Sequence, residues 1–275
     1  MTKPSSQLPS SLTLVGAGKM GGSMLEGWLA LGLPSSGVTV IDPRPSEEVS
    51  RLCGERGIAL NPAQPPVSEV LVLAIKPQML DEAAGRLNGL LGPKTLIVSI
   101  LAGKTIGDLK SRLPAATAIV RAMPNLPASI GRGATGAAAS GEVTDAQRST
   151  ADALLRANGI VEWLPSEDLI DAVTAVSGSG PAYVFHLVEC LAEAGTAAGL
   201  PPDLAQRLAR ATVIGAGELL FQSGLSPETL RQNVTSPGGT TAAALGVLMA
   251  EPHGLKALMR DTVAAAKRRA EELAG

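Results

Sequence analysis

Short runs of apolar residues alternate with amphipathic stretches along the first half of the chain. The runs predict strands over residues 11–15, 38–41, 70–75, 95–100 and 118–120. Uninterrupted apolar runs of this length are typical of parallel strands that helices cover on both faces. The stretches between them predict helices over residues 20–31, 46–53, 79–91 and 106–113. This alternation predicts βαβ units and a doubly wound α/β sheet.

Beyond about Pro165 the extended runs give way to long helical periods. Helices are predicted over residues 181–198, 204–222, 240–249 and 253–273. Ser226 and Pro227 mark one further helix start, because serine caps a helix and proline suits its first position. We therefore expect two domains, an α/β domain over residues 1–165 and an all-helical domain over residues 166–275.

Composition and charge narrow the classes of partner. Aromatic residues make up 2% of the 275 residues and the net charge is −2, which argues against a nucleic-acid-binding surface. The basic run at 267–269 is followed at once by Glu271 and Glu272, as on a solvated helix face. Charges interrupt the longest apolar stretch, so no membrane association is expected.

The few cysteines and histidines carry little chemistry in this pattern. Cys53 and Cys190 lie far apart, and no Cys/His spacing resembles a metal site. The N-terminus shows no apolar leader before a cleavage site, and together with the two distant cysteines this favours a reducing, cytoplasmic location. The Cys/His spacing predicts that no metal is bound.

A glycine-rich turn follows the first predicted strand and matches the pattern G-x-G-x-x-G. Such a turn, between a strand and a helix, predicts a dinucleotide-binding site. The glycines permit a tight turn, a close approach of pyrophosphate and close helix packing, and the helix N-terminus attracts the phosphates. The residues concerned are Gly16, Ala17, Gly18, Lys19, Met20 and Gly21.

Two side chains at the end of the second strand give opposite indications about the cofactor. Asp42 stands where a carboxylate binds the ribose hydroxyls and repels a 2′-phosphate, which favours NAD. Arg44 is placed to attract that phosphate, which favours NADP. The sequence leaves both NADPH and NADH open, and Asp42-Pro43-Arg44-Pro45 also reads as a simple turn.

Five segments, taken in order, resemble the pyrroline-5-carboxylate reductase family. They are residues 16–21 (GAGKMG), 74–78 (AIKPQ), 123–125 (MPN), 177–183 (SGSGPAY) and 236–241 (SPGGTT). The likeness extends from Leu12 to Leu273, and the two segments in the helical part are the specific ones. One departure is Asp42-Pro43-Arg44, where many members carry Asn-Arg or Ser; it bears on the cofactor preference rather than on the reaction.

The resemblance implies a fold, an assembly and a reaction. The fold is an N-terminal Rossmann-like sheet followed by an all-helical dimerisation domain, with the helices of two chains interlocked and such dimers assembling into rings such as a decamer. The reaction is hydride transfer from NAD(P)H to the C=N bond of 1-pyrroline-5-carboxylate, giving L-proline, the last step of proline biosynthesis. Further cofactor contacts are implied at Asn61, Ala74, Ile75, Lys76, Pro77, Ala102, Asn125 and Asn233.

The segment from Ser236 to Thr241 is the candidate substrate site. Pro237 fixes one backbone dihedral and two glycines allow a close approach of the backbone. Because a helix opens there, free N–H groups at Gly239, Thr240 and Thr241 are expected to converge on the substrate carboxylate. The resemblance places the Thr241 hydroxyl near the ring nitrogen; Ser236 and a bound water are the other candidate proton donors.

Two other functions compete with this interpretation. A β-hydroxyacid dehydrogenase shares the glycine turn and a helical second domain, but it requires a catalytic lysine that is missing after Ser177–Gly180. A non-catalytic nicotinamide-nucleotide sensor would keep the turn and lose the 236–241 segment, which is intact here.

Overall fold

The computed structural model describes residues 8–274, which form eight strands and eleven α-helices. The strands are β1 (Leu12–Val15), β2 (Val38–Ile41), β3 (Ala59–Leu60), β4 (Val70–Leu73), β5 (Leu96–Ser99), β6 (Ala118–Met123), β7 (Gly133–Ala139) and β8 (Gly159–Trp163). The helices are α1 (Lys19–Ala30), α2 (Glu47–Arg56), α3 (Leu80–Asn88), α4 (Ile106–Arg112), α5 (Asp145–Arg156), α6 (Ile170–Val173), α7 (Gly180–Ala197), α8 (Pro202–Gln222), α9 (Pro227–Asn233), α10 (Thr240–Leu248) and α11 (Leu255–Ala274).

The strands form one sheet in the order β3-β2-β1-β4-β5-β6-β7-β8. All neighbours are parallel except β6 and β7, which pair antiparallel. The order reverses at β1, with β2 on one side and β4 on the other. In a doubly wound sheet such a reversal opens a crevice at the carboxyl ends of the strands, where ligands bind.

Alternate residues of each central strand face opposite layers of helices. On β4, Val70 and Val72 pack in the core beneath α1, α2 and α5, whereas Leu71 and Leu73 pack in the core beneath α3 and α4. Trp28 of α1 is fully buried and its indole N–H donates to the Leu154 carbonyl at 2.8 Å. The uninterrupted apolar runs of the sequence are therefore explained by burial on both faces.

The predicted strands and helices are found, with ends shifted by a few residues. The structure adds β3, α5, α6, β7 and β8, which the sequence pattern did not predict. Strand β7 reads GATGAAA; apart from Thr135 it has none of the β-branched and aromatic residues that mark strands. Its glycines are required by packing, since a Cβ on Gly136 would lie 2.8 Å from the Val173 side chain.

The described chain divides into two compact units. The first runs to Gly178 and takes in the chain from Lys267 onward; the second is Ser179–Ala266. The sequence boundary at 165/166 lies before α6 and a π-helical turn at Thr174–Gly178. The first unit holds the whole sheet with its helices, and the second is entirely helical.

The helical unit buries very little apolar surface of its own. Across residues 179–266, which the structure describes throughout, Ala205 and Ala209 are the buried apolar side chains. Phe185, Leu187 and Ile214 are exposed by 55%, 50% and 61%. Exposed large apolar side chains in such number are typical of an interaction surface.

Over residues 8–274, the structure contains no helix that combines the length and the hydropathy needed to span a bilayer.

Candidate active site

The glycine-rich turn lies at the point where the strand order reverses. Gly16 has a φ of +91°, and its N–H donates to the Ile41 carbonyl at 2.8 Å. A Cβ on Gly16 would lie 2.6 Å from the Ala74 carbonyl oxygen, and a Cβ on Gly21 would overlap the Gly16 carbonyl oxygen. Both positions therefore require glycine for reasons internal to the fold.

The start of α1 presents backbone donors to the crevice. Gly18 is the N-cap, and the first helical bond runs from the Gly22 N–H to the Gly18 carbonyl at 2.7 Å. The N–H groups of Lys19, Met20 and Gly21 precede that bond and have no intrahelical acceptor. No atom lies within 4 Å of a Cβ built on Gly18, so a ligand has room to reach the backbone there. This arrangement suits an anion such as a pyrophosphate.

A cavity of about 760 Å³ extends from this turn. Its volume lies within the range of cofactor and ligand sites. Among its lining residues are two cations, Lys19 and Arg44, and two carboxylates, Glu26 and Glu48. Of the residues predicted to contact the cofactor, the cavity brings together Ala17, Gly18, Lys19, Met20, Arg44 and Asn125.

The other predicted cofactor residues do not line this cavity. Ala74 packs behind the turn, with its Cβ 3.2 Å from a Cβ built on Gly21. Ile75 lines a separate cavity of about 460 Å³, together with Ile41 and Pro43. Lys76 and Pro77 begin a short 3₁₀ turn after β4, and Ala102 is exposed after β5.

Asp42 and Asn61 are bonded to each other and to the backbone around them. The Asp42 carboxylate accepts the Ala17 N–H and the Arg44 N–H, each at 2.8 Å. The Asn61 amide accepts the Asp42 N–H at 2.9 Å and donates to the Asp42 carbonyl at 2.7 Å. Neither residue lines the cavity beside α1.

Asn125 uses both ends of its amide on the protein backbone. Its Nδ2 donates to the Ser177 carbonyl at 3.0 Å and its Oδ1 accepts the Ala134 N–H at 2.8 Å. In a helix the Ser177 carbonyl would accept the N–H of the residue four positions later, but that residue is Pro181, which has no N–H. The Asn125 side chain thus joins three segments of the first unit at the wall of the cavity.

Several lining residues were not among the predicted cofactor contacts. They include Ser46, Pro124 and Ser129. Ser46 caps α2, and its hydroxyl accepts the Val49 N–H at 3.2 Å. The start of a second helix directly after Arg44 was the signal available for Ser46, because helix N-termini attract phosphate.

The 236–241 segment of the helical unit forms a tight turn that leads into α10. Gly238 has a φ of +70°, and the Gly239 N–H donates to the Ser236 carbonyl at 3.1 Å. Proline followed by a glycine with positive φ is the pattern of a type II turn. Ser236, Pro237 and Gly238 are exposed.

The start of α10 offers a different set of free donors from the one expected. The Gly239 N–H is already bonded within the turn, and the first helical bond runs from Ala243 to the Gly239 carbonyl at 3.2 Å. The free N–H groups are therefore those of Thr240, Thr241 and Ala242. Thr241 is half-buried, and within the described chain its hydroxyl makes no hydrogen bond. Asn233, the remaining predicted cofactor contact, is exposed at the end of α9.

The described residues hold no group of three or more His, Cys, Asp or Glu side chains that is arranged to bind a metal ion.

Two family models match the chain. Residues 11–103 match the family described as NADP oxidoreductase, coenzyme F420-dependent, and residues 167–273 match pyrroline-5-carboxylate reductase dimerisation. The first match and an NADP-bound structural relative support a nicotinamide nucleotide cofactor. The second indicates that the helical region self-associates.

Curated relatives match most of the length of the chain. The pyrroline-5-carboxylate reductase of Pseudomonas aeruginosa is 40% identical over 266 residues, which cover 96% of each protein. That of Synechocystis is 46% identical over 207 residues, 75% of this chain and 76% of the relative.

Solved structures give the same result. A pyrroline-5-carboxylate reductase from Coxiella burnetii superposes with a TM-score of 0.88 at 35% identity, covering 97% of this chain and 99% of that one. The Plasmodium falciparum pyrroline carboxylate reductase with NADP bound superposes with a TM-score of 0.78 at 26% identity, covering 98% and 100%. On its sequence and its structure, this chain belongs to the pyrroline-5-carboxylate reductase family.

Proposed function

We propose that this chain reduces the C=N bond of 1-pyrroline-5-carboxylate with a hydride from NADPH or NADH and releases L-proline. The observation that carries the proposal is identity of up to 40% across 96% of the chain to proteins named for this activity. In this proposal the α/β region over residues 1–165 holds the cofactor, and residues 166–275 bind substrate and dimerise. The free thiols of Cys53 and Cys190 suit a reducing cytoplasm.

The residues around α1 fit a dinucleotide. The open face of Gly18 and the free N–H groups of Lys19, Met20 and Gly21 would hold its pyrophosphate. Bound there, the reduced nicotinamide supplies the hydride for the imine carbon. The chain contributes orientation and charge, with Arg44 placed for the adenosine end.

In this proposal the start of α10 holds the substrate. Its carboxylate would accept from the N–H groups of Thr240, Thr241 and Ala242, with the helix dipole adding a favourable field. The Thr241 hydroxyl would hydrogen-bond the ring nitrogen. It accepts from a protonated iminium or donates to a neutral imine, so one hydroxyl orients the ring in either form.

Initial rates of NADPH and NADH oxidation with 1-pyrroline-5-carboxylate test the reaction. We expect saturable turnover and proline as the product, and no oxidation of 3-hydroxyisobutyrate in the reverse assay. Cofactor binding without turnover of the imine would contradict the proposal, and turnover of the hydroxyacid would support the β-hydroxyacid dehydrogenase instead.

We expect both cofactors to be used, with NADPH preferred through Arg44. An Arg44→Ala variant should raise the KM for NADPH about tenfold and change the KM for NADH little, because a charge-assisted contact to the 2′-phosphate is lost. Steady-state kinetics with each cofactor provide the measurement. An equal rise in both values would show that Arg44 does not read the 2′-phosphate.

The assembly we propose is a dimer with interlocked helices, which builds further into rings such as a decamer. The helical unit supports this proposal because its large apolar side chains are exposed while two alanines form its interior. As a monomer, the protein would expose more large apolar side chains than soluble monomers usually do.

A charge placed on that surface should disrupt the assembly. Leu187→Asp on α7, where the leucine is 50% exposed, is expected to yield monomeric or aggregated, inactive protein. Leu31→Asp is the matched control, because Leu31 is 54% exposed on the α/β unit and should tolerate the charge. Light scattering measures the mass, which for the unmodified protein should be at least twice 27.9 kDa. An active monomer would refute the proposed dimer.

A further inference from the structure

The ends of β1, β2 and β3 are connected by a hydrogen-bonded brace made of Ala17, Asp42 and Asn61. Asp42 directly follows β2 and is half-buried. Its Oδ2 accepts the N–H of Ala17, a residue of the glycine-rich turn that is only 2% exposed. Its Oδ1 accepts the N–H of Arg44. Both carboxylate oxygens therefore bind backbone.

The first of these bonds continues the β1–β2 pairing past the strand ends. The preceding N–H, that of Gly16, already donates to the Ile41 carbonyl. The next N–H along the chain, that of Ala17, donates to the Asp42 side chain and not to the backbone of β2. An Ala17 N–H without this acceptor would be a buried unpaired donor, and such donors are costly.

Asn61 extends the brace to β3. Its own N–H donates to the Val40 carbonyl at 2.8 Å, and its side-chain amide pairs with both the N–H and the carbonyl of Asp42. Asn61 has a φ of +50°, a conformation that asparagine tolerates better than most residues. The Asn61 amide thus pairs with the backbone of Asp42 as a neighbouring strand would, and it fixes the position of Asp42.

We propose that Asp42 is a positioning residue for the glycine-rich turn and not the residue that reads the ribose 2′-hydroxyl. This inference rests on the proposed function only in taking the turn as the cofactor site. To face a ribose, the carboxylate would have to turn from two charge-assisted hydrogen bonds and leave the Ala17 N–H unpaired. Arg44 lines the cavity beside α1 and Asp42 does not. The choice between NADPH and NADH therefore falls to Arg44, and Asp42 acts equally on both.

The two roles predict opposite effects of Asp42→Asn. If the carboxylate reads the 2′-hydroxyl, losing its charge weakens NADH and strengthens NADPH. If it positions the turn, the Asn Nδ2 faces an N–H donor and one bond is lost, so both cofactors weaken by the same factor.

The experiment measures the dissociation constants of NADPH and NADH for the intact protein by calorimetry, with no imine present. For Asp42→Asn we expect both constants to rise about tenfold and their ratio to stay within about twofold of the unmodified protein. Hydrogen exchange of the peptide containing Ala17 should become faster. Opposite shifts of the two constants, or no shift in either, would overturn the proposal.

Two further variants keep the test decisive. Asn61→Gly retains the positive φ and removes the amide, so it should weaken both cofactors by a common, smaller factor even if Asp42→Asn folds poorly. Glu47→Gln removes the same charge from the exposed first turn of α2 and should change neither constant. An effect of Glu47→Gln equal to that of Asp42→Asn would mean that net charge, and not the brace, is responsible.

The outcome is separable from that of the proposed function. A protein that binds both nucleotides but does not reduce 1-pyrroline-5-carboxylate refutes the reaction and leaves the binding constants to decide the role of Asp42.

Discussion

Thr241→Ala should lower kcat/KM for 1-pyrroline-5-carboxylate about 10- to 150-fold and leave the affinity for the cofactor unchanged. The range corresponds to one hydrogen bond to a charged partner, ~1.5–3 kcal/mol. Thr241 is half-buried at the second position of α10, and its hydroxyl has no partner within the described chain, so the variant loses no internal bond. Stability should therefore change little.

Thr241→Ser is the matched control, because it keeps the hydroxyl and removes one methyl group. We expect it to retain most of the activity of the unmodified protein. Steady-state kinetics with the imine, beside calorimetric binding of NADPH, separate substrate from cofactor effects. If Thr241→Ala keeps its full kcat/KM, the hydroxyl does not contact the ring nitrogen, and Ser236 or a bound water becomes the candidate donor.

Gly18→Ala is the second substitution with a large expected effect. Its Cβ would point into open space beside the free N–H groups of α1, where the proposed cofactor's pyrophosphate would approach. We expect binding of NADPH and NADH to weaken at least tenfold. The free energy of unfolding should fall by no more than ~1 kcal/mol, the usual cost of alanine at an N-cap.

Gly21→Ala separates the two roles of glycine in this turn. Its Cβ would overlap the Gly16 carbonyl oxygen, which belongs to the backbone and has no room to move. We expect it to weaken cofactor binding and also to destabilise the fold by about 1–3 kcal/mol. Thermal unfolding and calorimetry on both variants give the comparison. A Gly18→Ala variant that binds cofactor normally would show that phosphate does not contact this residue.

The strand, turn and helix around the glycine-rich sequence were largely predictable from the sequence. The run from Leu12 to Val15, the turn from Gly16 to Gly21 and the amphipathic helix after it form a local pattern. Each step depends on neighbours in sequence: β-branched and aliphatic residues for the strand, glycine for the positive φ, and free N–H groups at the helix start. The Ser226 cap of α9 was predictable for the same reason, because its hydroxyl accepts the N–H of Thr229, which is only three residues further along the chain.

The individual roles within the site were not predictable in this way. Asn125 stands in a recognisable segment, yet its partners are Ser177 and Ala134, 52 and 9 residues away. The Gly239 N–H was predicted to bind substrate, but in the structure it donates to the Ser236 carbonyl and closes a turn. Strand β7 was missed because a run of glycine and alanine forms a strand only where neighbours pack too closely for larger side chains.

The sequence alone was enough to predict most of the strands and helices, the doubly wound sheet, the position of the glycine turn and the family, because these follow from local periodicity and short motifs. The hydrogen-bond partners of Asp42, in contrast, are visible only in the folded chain. Its carboxylate accepts the N–H groups of Ala17 and Arg44 because the ends of β1 and β2 lie side by side. Ala17 and Asp42 are 25 residues apart in the chain, so the sequence does not show that they are neighbours. The same holds for the helical unit: apolar helices such as α7 look like core in the sequence, but in the folded chain Phe185 and Leu187 remain exposed. Burial depends on the surfaces that surround a helix, and for α7 this chain alone does not provide enough of them.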